Sequence, residues 1–421
     1  MAHDIALLAF RYFSEILIYA SGLLTQRIRA LIHRHTYKSL PNPHTIVIIG
    51  GSYSGLFLSF RLAESLPSGY KVILIEQNSH FHHTFNFPRY SVLKGREQNA
   101  FIPHAGLFGK VPKGVFEQVR GKAVGIEEGK VVLEDGRVVE FDYLAVATGV
   151  TQAPPAKLIS KEKEGARVEL KVLQEEIEEA ESIALVGAGA VGVQLATDIK
   201  SFYPEKKVTL IHSRAQILSS HGVRLHDYVM EKLGKLGIDV ILEERPVLPR
   251  TASWEPAEID FRDGRKQKFD LVIPCTGQTP NSSILSTFSP PSISPLTGHI
   301  IVNEKLQIKD SMKGNTSFSN IFALGDVAAT GGSKFARAGA AQAEIVRENI
   351  LALITGKKLV DYVPSVLEGL LKLSLGKDEC VIYIKDSRRD YMFPGKLKNI
   401  DLDVAKAWKL FGADMGNAAN I

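Results

Sequence analysis

The chain has 421 residues, with 51 Lys+Arg against 46 Asp+Glu for a net charge of +5, and 45% hydrophobic residues. That length exceeds one domain of roughly 100–200 residues, the composition excludes disordered and fibrous classes, and so small a charge excess requires no nucleic acid partner. Cys275 and Cys380 stand alone, without C-x-x-C or Cys/His ligand spacing, which excludes a disulfide scaffold, speaks against a zinc site and fits a reducing intracellular compartment.

From Ile5 to Leu24 runs "IALLAFRYFSEILIYASGLL", about 20 residues and so about 30 Å as a helix, enough to cross a bilayer core. Arg11 and Glu15 are four apart and expected to pair on one face; Leu7, Phe10, Phe13, Leu17 and Leu24 fill others, and Arg27, Arg29 and Arg34 follow. Three readings stay open: a membrane-inserted or interfacial helix using residues 5–35, a cleaved mitochondrial presequence, and a helix docked on the protein itself. In a span, the basic flank would keep the body on the cytoplasmic side. "SLPNPH", Ser39 to His44, reads as a linker.

"TIVIIGGSYSGLFLSFRLAE", Thr45 to Glu64, is an apolar strand breaking into Gly50, Gly51, Ser52, Ser54 and Gly55 before an amphipathic helix. It is a dinucleotide loop of the G-x-G-x-x-G type with serine at the second glycine. "YKVILIE" then ends in Glu76, placed to accept hydrogen bonds from an unphosphorylated ribose. His80, His82 and His83 follow with no carboxylate or cysteine at ligand spacing, so no metal is expected. Downstream, "SIALVGAGAVGVQLATDI" repeats the plan with Gly187, Gly189, Val191 and Gly192, and its second strand ends in His212, Ser213 and Arg214. No carboxylate stands there to repel a 2'-phosphate, so the second site admits NADPH or NADH; Arg214 is either a phosphate ligand or a solvated surface charge.

The repeat extends further. "LEDGRVVEFDYLAVATG", ending in Thr148 and Gly149, aligns without gaps to "FRDGRKQKFDLVIPCTG", ending in Thr276 and Gly277. Each half therefore reads as strand, glycine loop, helix and strand, then a small antiparallel meander and a closing strand. The expected fold is α/β, with two Rossmann-like dinucleotide-binding domains and a C-terminal segment. The expected boundaries are 1–44 N-terminal segment and linker, 45–150 first dinucleotide domain, 151–268 second dinucleotide domain inserted in it, 269–355 first domain again, and 356–421 C-terminal segment. "SNIFALGDVAATGG" delivers Gly325 and Asp326 to a strand's carboxyl end, where open parallel sheets bind ligands.

Two nucleotide loops plus this "GD" motif resemble the two-dinucleotide-domain flavin reductases. "HFHHTFNFPR", "VGVQLATDIK...YPEKKVTLIHS", "SNIFALGDVA" and "KNIDLDVAKAWK" are similar to the apoptosis-inducing-factor-like, ferroptosis-suppressor-type quinone oxidoreductases, from Thr45 onward. The resemblance implies FAD on the first loop, NAD(P)H on the second, and Asp326 on the flavin ribityl. It places Asn86, Pro88 and Arg89 beside the isoalloxazine, and Ala341 and Gln342 at the start of a helix facing the flavin. A family lysine near the flavin matches Lys398; a family glutamate is replaced by Gln194, whose amide hydrogen-bonds but does not ionise. Animal members are lipidated at an N-terminal glycine. This sequence begins Met-Ala-His, and the Ile5–Leu24 segment is expected to serve instead.

The implied reaction is hydride transfer from NAD(P)H to flavin and two-electron delivery to a quinone or other small acceptor, at a mitochondrial or other organelle membrane. Two alternatives are a soluble cytoplasmic reductase acting on a small metabolite and a redox sensor with little turnover. Oligomeric state is left open.

Overall fold

The computed structural model describes residues 2–247, 256–310 and 316–418. It opens on helix α1 (Ala2–Thr36), then β1 (His44–Ile49), α2 (Tyr53–Ala63), β2 (Tyr70–Glu76), β3 (Phe116–Arg120), a three-stranded meander over residues 123–140, and β4 (Tyr143–Val146). After the crossover come α3 (Lys163–Glu179), β5 (Ser182–Val186), α4 (Ala190–Phe202), β6 (Lys207–Ile211), α5 (Val223–Lys235), β7 (Ile238–Ile241), a hairpin and β8 (Leu271–Pro274). The chain returns as β9 (Gln307–Asp310), β10 (Thr316–Ala323) and α6 (Ala336–Thr355), and ends in β11 (Leu371–Leu375), β12 (Glu379–Lys385), β13 (Asp390–Lys396) and α7 (Val404–Leu410).

The first sheet has the order β9-β10-β4-β1-β2-β3, parallel except for β9; the second, β7-β6-β5-β8, is wholly parallel. β1 is apolar on both faces, with Ile46, Val47 and Ile48 fully buried, because a parallel sheet is covered by its crossovers on both sides. The two chain crossings pair with each other: Val150–Thr151 lies antiparallel to Thr279–Pro280. Asn281 secures them, donating from its backbone to the Gly149 carbonyl at 2.9 Å and from Nδ2 to the Thr148 carbonyl at 2.9 Å.

The domain boundary at residue 269 is corrected by this topology. β8 pairs with β5 inside the second sheet, so the first domain resumes only after the Thr279–Pro280 crossing. The reason lies in the repeat itself: β8 is the counterpart of β4, and each closes its own sheet beside its own first strand.

Arg11 and Glu15 do not pair along α1. Arg11 Nη1 donates to Asp386 Oδ2 at 2.7 Å, while Glu15 accepts from Ser365 Oγ at 2.7 Å. Both reach the C-terminal unit, so α1 is docked rather than projecting.

Arg89 was expected beside the flavin ring. It is fully buried instead, donating from Nε and Nη2 to both oxygens of Asp198 at 2.9 Å. Its remaining bonds go to the Gly376 carbonyl at 2.8 Å and the Ile400 carbonyl at 2.9 Å. One side chain thus ties the loop after β2 to α4 of the second domain and to two C-terminal segments. Removing either partner strands a buried charge, so Arg89→Ala or Asp198→Ala is expected to cost about 3–5 kcal/mol. Chemical denaturation checks this; a loss under about 1 kcal/mol, as for an exposed pair, would contradict it.

Candidate functional site

The two glycine loops share their backbone geometry. Gly50 (φ +104°) and Gly187 (φ +117°) each turn the chain in a left-handed conformation. A Cβ on Gly50 would meet the Ala147 carbonyl at 2.4 Å, and one on Gly187 the Cys275 carbonyl at 2.6 Å. The third glycines, Gly55 and Gly192, let each helix pack down: a Cβ on either would lie 1.9 Å from the carbonyl of the first glycine. Ala147 and Cys275 occupy the same place in the repeat. Cys275 is therefore a packing residue, and burial pushes its thiol up to about 12.

Ser52 falls at the position of Gly189. Both are N-caps with extended backbone, φ −85° and −79°, so serine carries no conformational penalty. A Cβ on Gly189 would meet nothing within 4 Å, and Ser52 is exposed in the same open space. Neither cap side chain satisfies the first-turn N–H groups of its helix, which is the arrangement that receives a pyrophosphate. Val191 is half-buried in the first turn of α4.

The loops differ where the second strand ends. Glu76 accepts from Gly51 N–H through one oxygen and from Asn78 N–H at 2.6 Å through the other. Burial pushes its carboxyl up, and these two bonds pull it back. In the second domain His212 fills the same role, its Nδ1 accepting from Ala188 N–H at 3.2 Å. Accepting through Nδ1 leaves the proton on Nε2, and burial, then the Arg214 charge, holds the ring below its usual pKa. Arg214 is exposed and donates to Ser219 Oγ.

Gly325 (φ +75°) and Asp326 lie against the first loop: a Cβ on Gly325 would come within 2.6 Å of Ser54 Oγ, and one on Gly339 of α6 within 2.1 Å. Gln342, expected to face the flavin, is buried and acts through Gly325. Its Oε1 accepts the Gly325 N–H at 2.8 Å, and its Nε2 reaches Thr330 Oγ1 at 3.1 Å. Ala341 beside it is half-buried. Two lysines absent from the sequence reading feel the Asp326 charge: burial pushes Lys157 and Lys334 down, and the Asp326 carboxylate opposes that. Nothing in the sequence singles out either lysine, because the fold brings each into the field of Asp326. Gln194 donates to Ser374 Oγ of β11 at 3.0 Å, and Lys398 is exposed two residues before Ile400.

The loop histidines are packing groups. His82 sits edge-on to Phe87 and Phe101. Burial, then the Lys161 charge, pushes it down to about 3, and burial, then His80, pushes His104 to about 4. Both rings stay neutral in the fold but protonate in the unfolded chain below the ordinary value of 6.5. Their contribution is therefore complete above that value and is lost on acidification toward 4 and then 3. The melting temperature is expected to fall across that window, less steeply in His82→Gln; an identical slope in both proteins would contradict the assignment.

Residues 44–344 match the pyridine nucleotide-disulphide oxidoreductase family. The chain is 33% identical over 390 residues to Fe-regulated protein 8 of Mycosarcoma maydis, covering 86% of this chain and 94% of that protein. It is 30% identical over 373 residues to ferroptosis suppressor protein 1 of Mus musculus, covering 86% and 95%. Among solved structures, the sulfide:quinone oxidoreductase of Aquifex aeolicus shares the fold with a TM-score of 0.69 at 19% identity, covering 88% of this chain and 92% of that one. With its paired nucleotide cradles, the chain belongs to the pyridine nucleotide-disulphide oxidoreductase family, among the ferroptosis-suppressor-type flavoproteins, and is an FAD-dependent NAD(P)H oxidoreductase.

Proposed function

We propose that the first cradle holds FAD, the second holds NAD(P)H, and the protein delivers two electrons to a quinone-type acceptor at a membrane surface. The observation that carries the cofactor assignment is the exchange of Glu76 for His212 at one position of a repeated cradle. A buried carboxylate accepts from ribose hydroxyls and rejects a 2'-phosphate; a neutral imidazole in its place, with the exposed Arg214 two residues on, admits that phosphate. NADPH is thereby favoured over NADH. Bound flavin supplies the redox chemistry, taking a hydride from the nicotinamide and releasing two electrons to the acceptor.

The chain's own groups hold and orient. Free N–H groups at the starts of α2 and α4 receive the two pyrophosphates. Asp326, flanked by Lys157 and Lys334, is assigned to the flavin ribityl, with Thr148, Gly149 and Gly277 lining the crossings between the domains. Lys398 supplies positive charge near the reduced ring and Gln194 a neutral amide at the nicotinamide. The sequence holds only two cysteines, Cys275 and Cys380, one just after β8 and one on β12. They form no dithiol relay, so electrons leave the flavin directly. Support for a quinone acceptor comes from the sequence resemblance to quinone oxidoreductases, and support for membrane action from the apolar face of α1.

Arg214→Ala is expected to raise the KM for NADPH about tenfold and leave that for NADH unchanged; equal shifts for both would refute the phosphate role. The cradle makes a second distinction. Gly189→Ala should keep nicotinamide binding, whereas Gly192→Ala should abolish it, as read by coenzyme titration of the flavin spectrum. Equal loss in both variants would overturn the close-approach argument.

A further inference from the structure

The stripe of α1 that faces away from the body carries Phe10, Phe13, Leu17, Leu24, Ile28 and Leu31. All are more than half exposed, Phe10 at 86%. Their spacing of three, four and seven places them on one helical face. The opposite face is fastened along the helix. Arg11 and Tyr12 bond Asp386, Glu15 bonds Ser365, Gln26 donates to Glu344 at 2.7 Å, and His33 meets the Leu66 carbonyl at 2.6 Å. Tyr12 and Ala30 are buried on that side.

From Arg11 to His33 is about 33 Å of helix, so the fastened length matches the thickness of a bilayer core, about 30 Å. A spanning α1 would have to pull Arg11 and Tyr12 from Asp386 or Gln26 and His33 from theirs, and carry the freed polar groups into hydrocarbon. Charge points the same way. Between Leu7 and Thr36 the only acid is Glu15, which faces Ser365, whereas Arg27 and Arg29 are exposed. At 100° per residue Arg27 lies beside the apolar stripe, about 70° from its centre, whereas Arg29 falls at the angle of Arg11, on the flank of the body-facing side.

The geometry points to α1 lying flat on an anionic lipid surface, its apolar stripe in the acyl boundary, the exposed Arg27 on the headgroups and its polar face bolted to the catalytic body. This rests on the membrane reading above and gives it an orientation: the body is held at the surface on one leaflet, with no segment of α1 crossing.

The full chain, loaded with flavin, is mixed with phosphatidylcholine vesicles with and without phosphatidylserine and separated by flotation. Flotation is expected with the anionic vesicles, to weaken in high salt, and to drop about tenfold or more in the exposed double variant Phe13→Asp/Leu17→Asp. Single cysteines placed by Ala2→Cys and Lys38→Cys should both react with an impermeant maleimide added outside the vesicles. Protection of one of them would show a span, and undiminished flotation of the double variant would show a different contact surface; either overturns the proposal. So would a dimer in solution that the double variant abolishes while vesicle binding is absent, since a second copy would then cover the stripe. Reduction of a water-soluble short-chain quinone by the double variant should equal that of the parent. Failure of that reaction in both proteins, with flotation intact, would remove the quinone reading and leave the flat helix standing.

Discussion

The Arg89–Asp198 pair is the contact on which the rest of the arrangement depends. Hydride transfer requires two rings, one from each nucleotide domain, to meet within a few tenths of an ångström of a productive geometry. Two chain crossings, paired over residues 150–151 and 279–280, link the two sheets, and the C-terminal strands pack on the second domain. With those links alone, the two domains would hinge. Arg89 closes the other side, holding the loop after β2, helix α4 and the Gly376 and Ile400 carbonyls around a fully buried ion pair. Such a pair gains little net stability over an apolar contact, but its directional bonds admit one relative placement of the domains.

Within that frame the protein uses one backbone solution twice. Each cradle sets a left-handed glycine against a neighbouring strand's carbonyl and a third glycine against the first, leaving a helix N-terminus open. What differs is the side chain at the end of the second strand. Glu76 and His212 accept the same N–H of the loop, yet one is a carboxylate and the other a neutral imidazole two residues from an exposed arginine. In the proposed reading, nucleotide choice is thereby separated from nucleotide holding.

Much of this was legible in the sequence, because periodicity, turns and glycine spacing are local. The repeat from "LEDG" to "FRDG" implies both Rossmann-like domains and even implies that β8 belongs with β5, although the boundary drawn at residue 269 missed that consequence. What the sequence hides are partners far along the chain. Nothing around Arg89 in the sequence announces its ion pair with Asp198, 109 residues away. Arg11 reads as a partner of Glu15 until Asp386, 375 residues away, claims it. Gln342 is a similar case: the helix start was found, but its amide serves the turn at Gly325. Ser52 shows the opposite outcome, since an apparent defect in the motif falls where the second cradle leaves open space.

The central claim is that electrons pass from a nicotinamide on the second cradle to a flavin on the first and then directly to a quinone-type acceptor. Anaerobic stopped-flow absorbance of the purified flavoprotein tests it most directly. The account predicts rapid bleaching of the flavin band on mixing with NADPH, more slowly or at higher concentration with NADH, and rapid return of the band when a quinone is added. Bleaching followed by no reoxidation with any quinone, or no bleaching with either coenzyme, would contradict it.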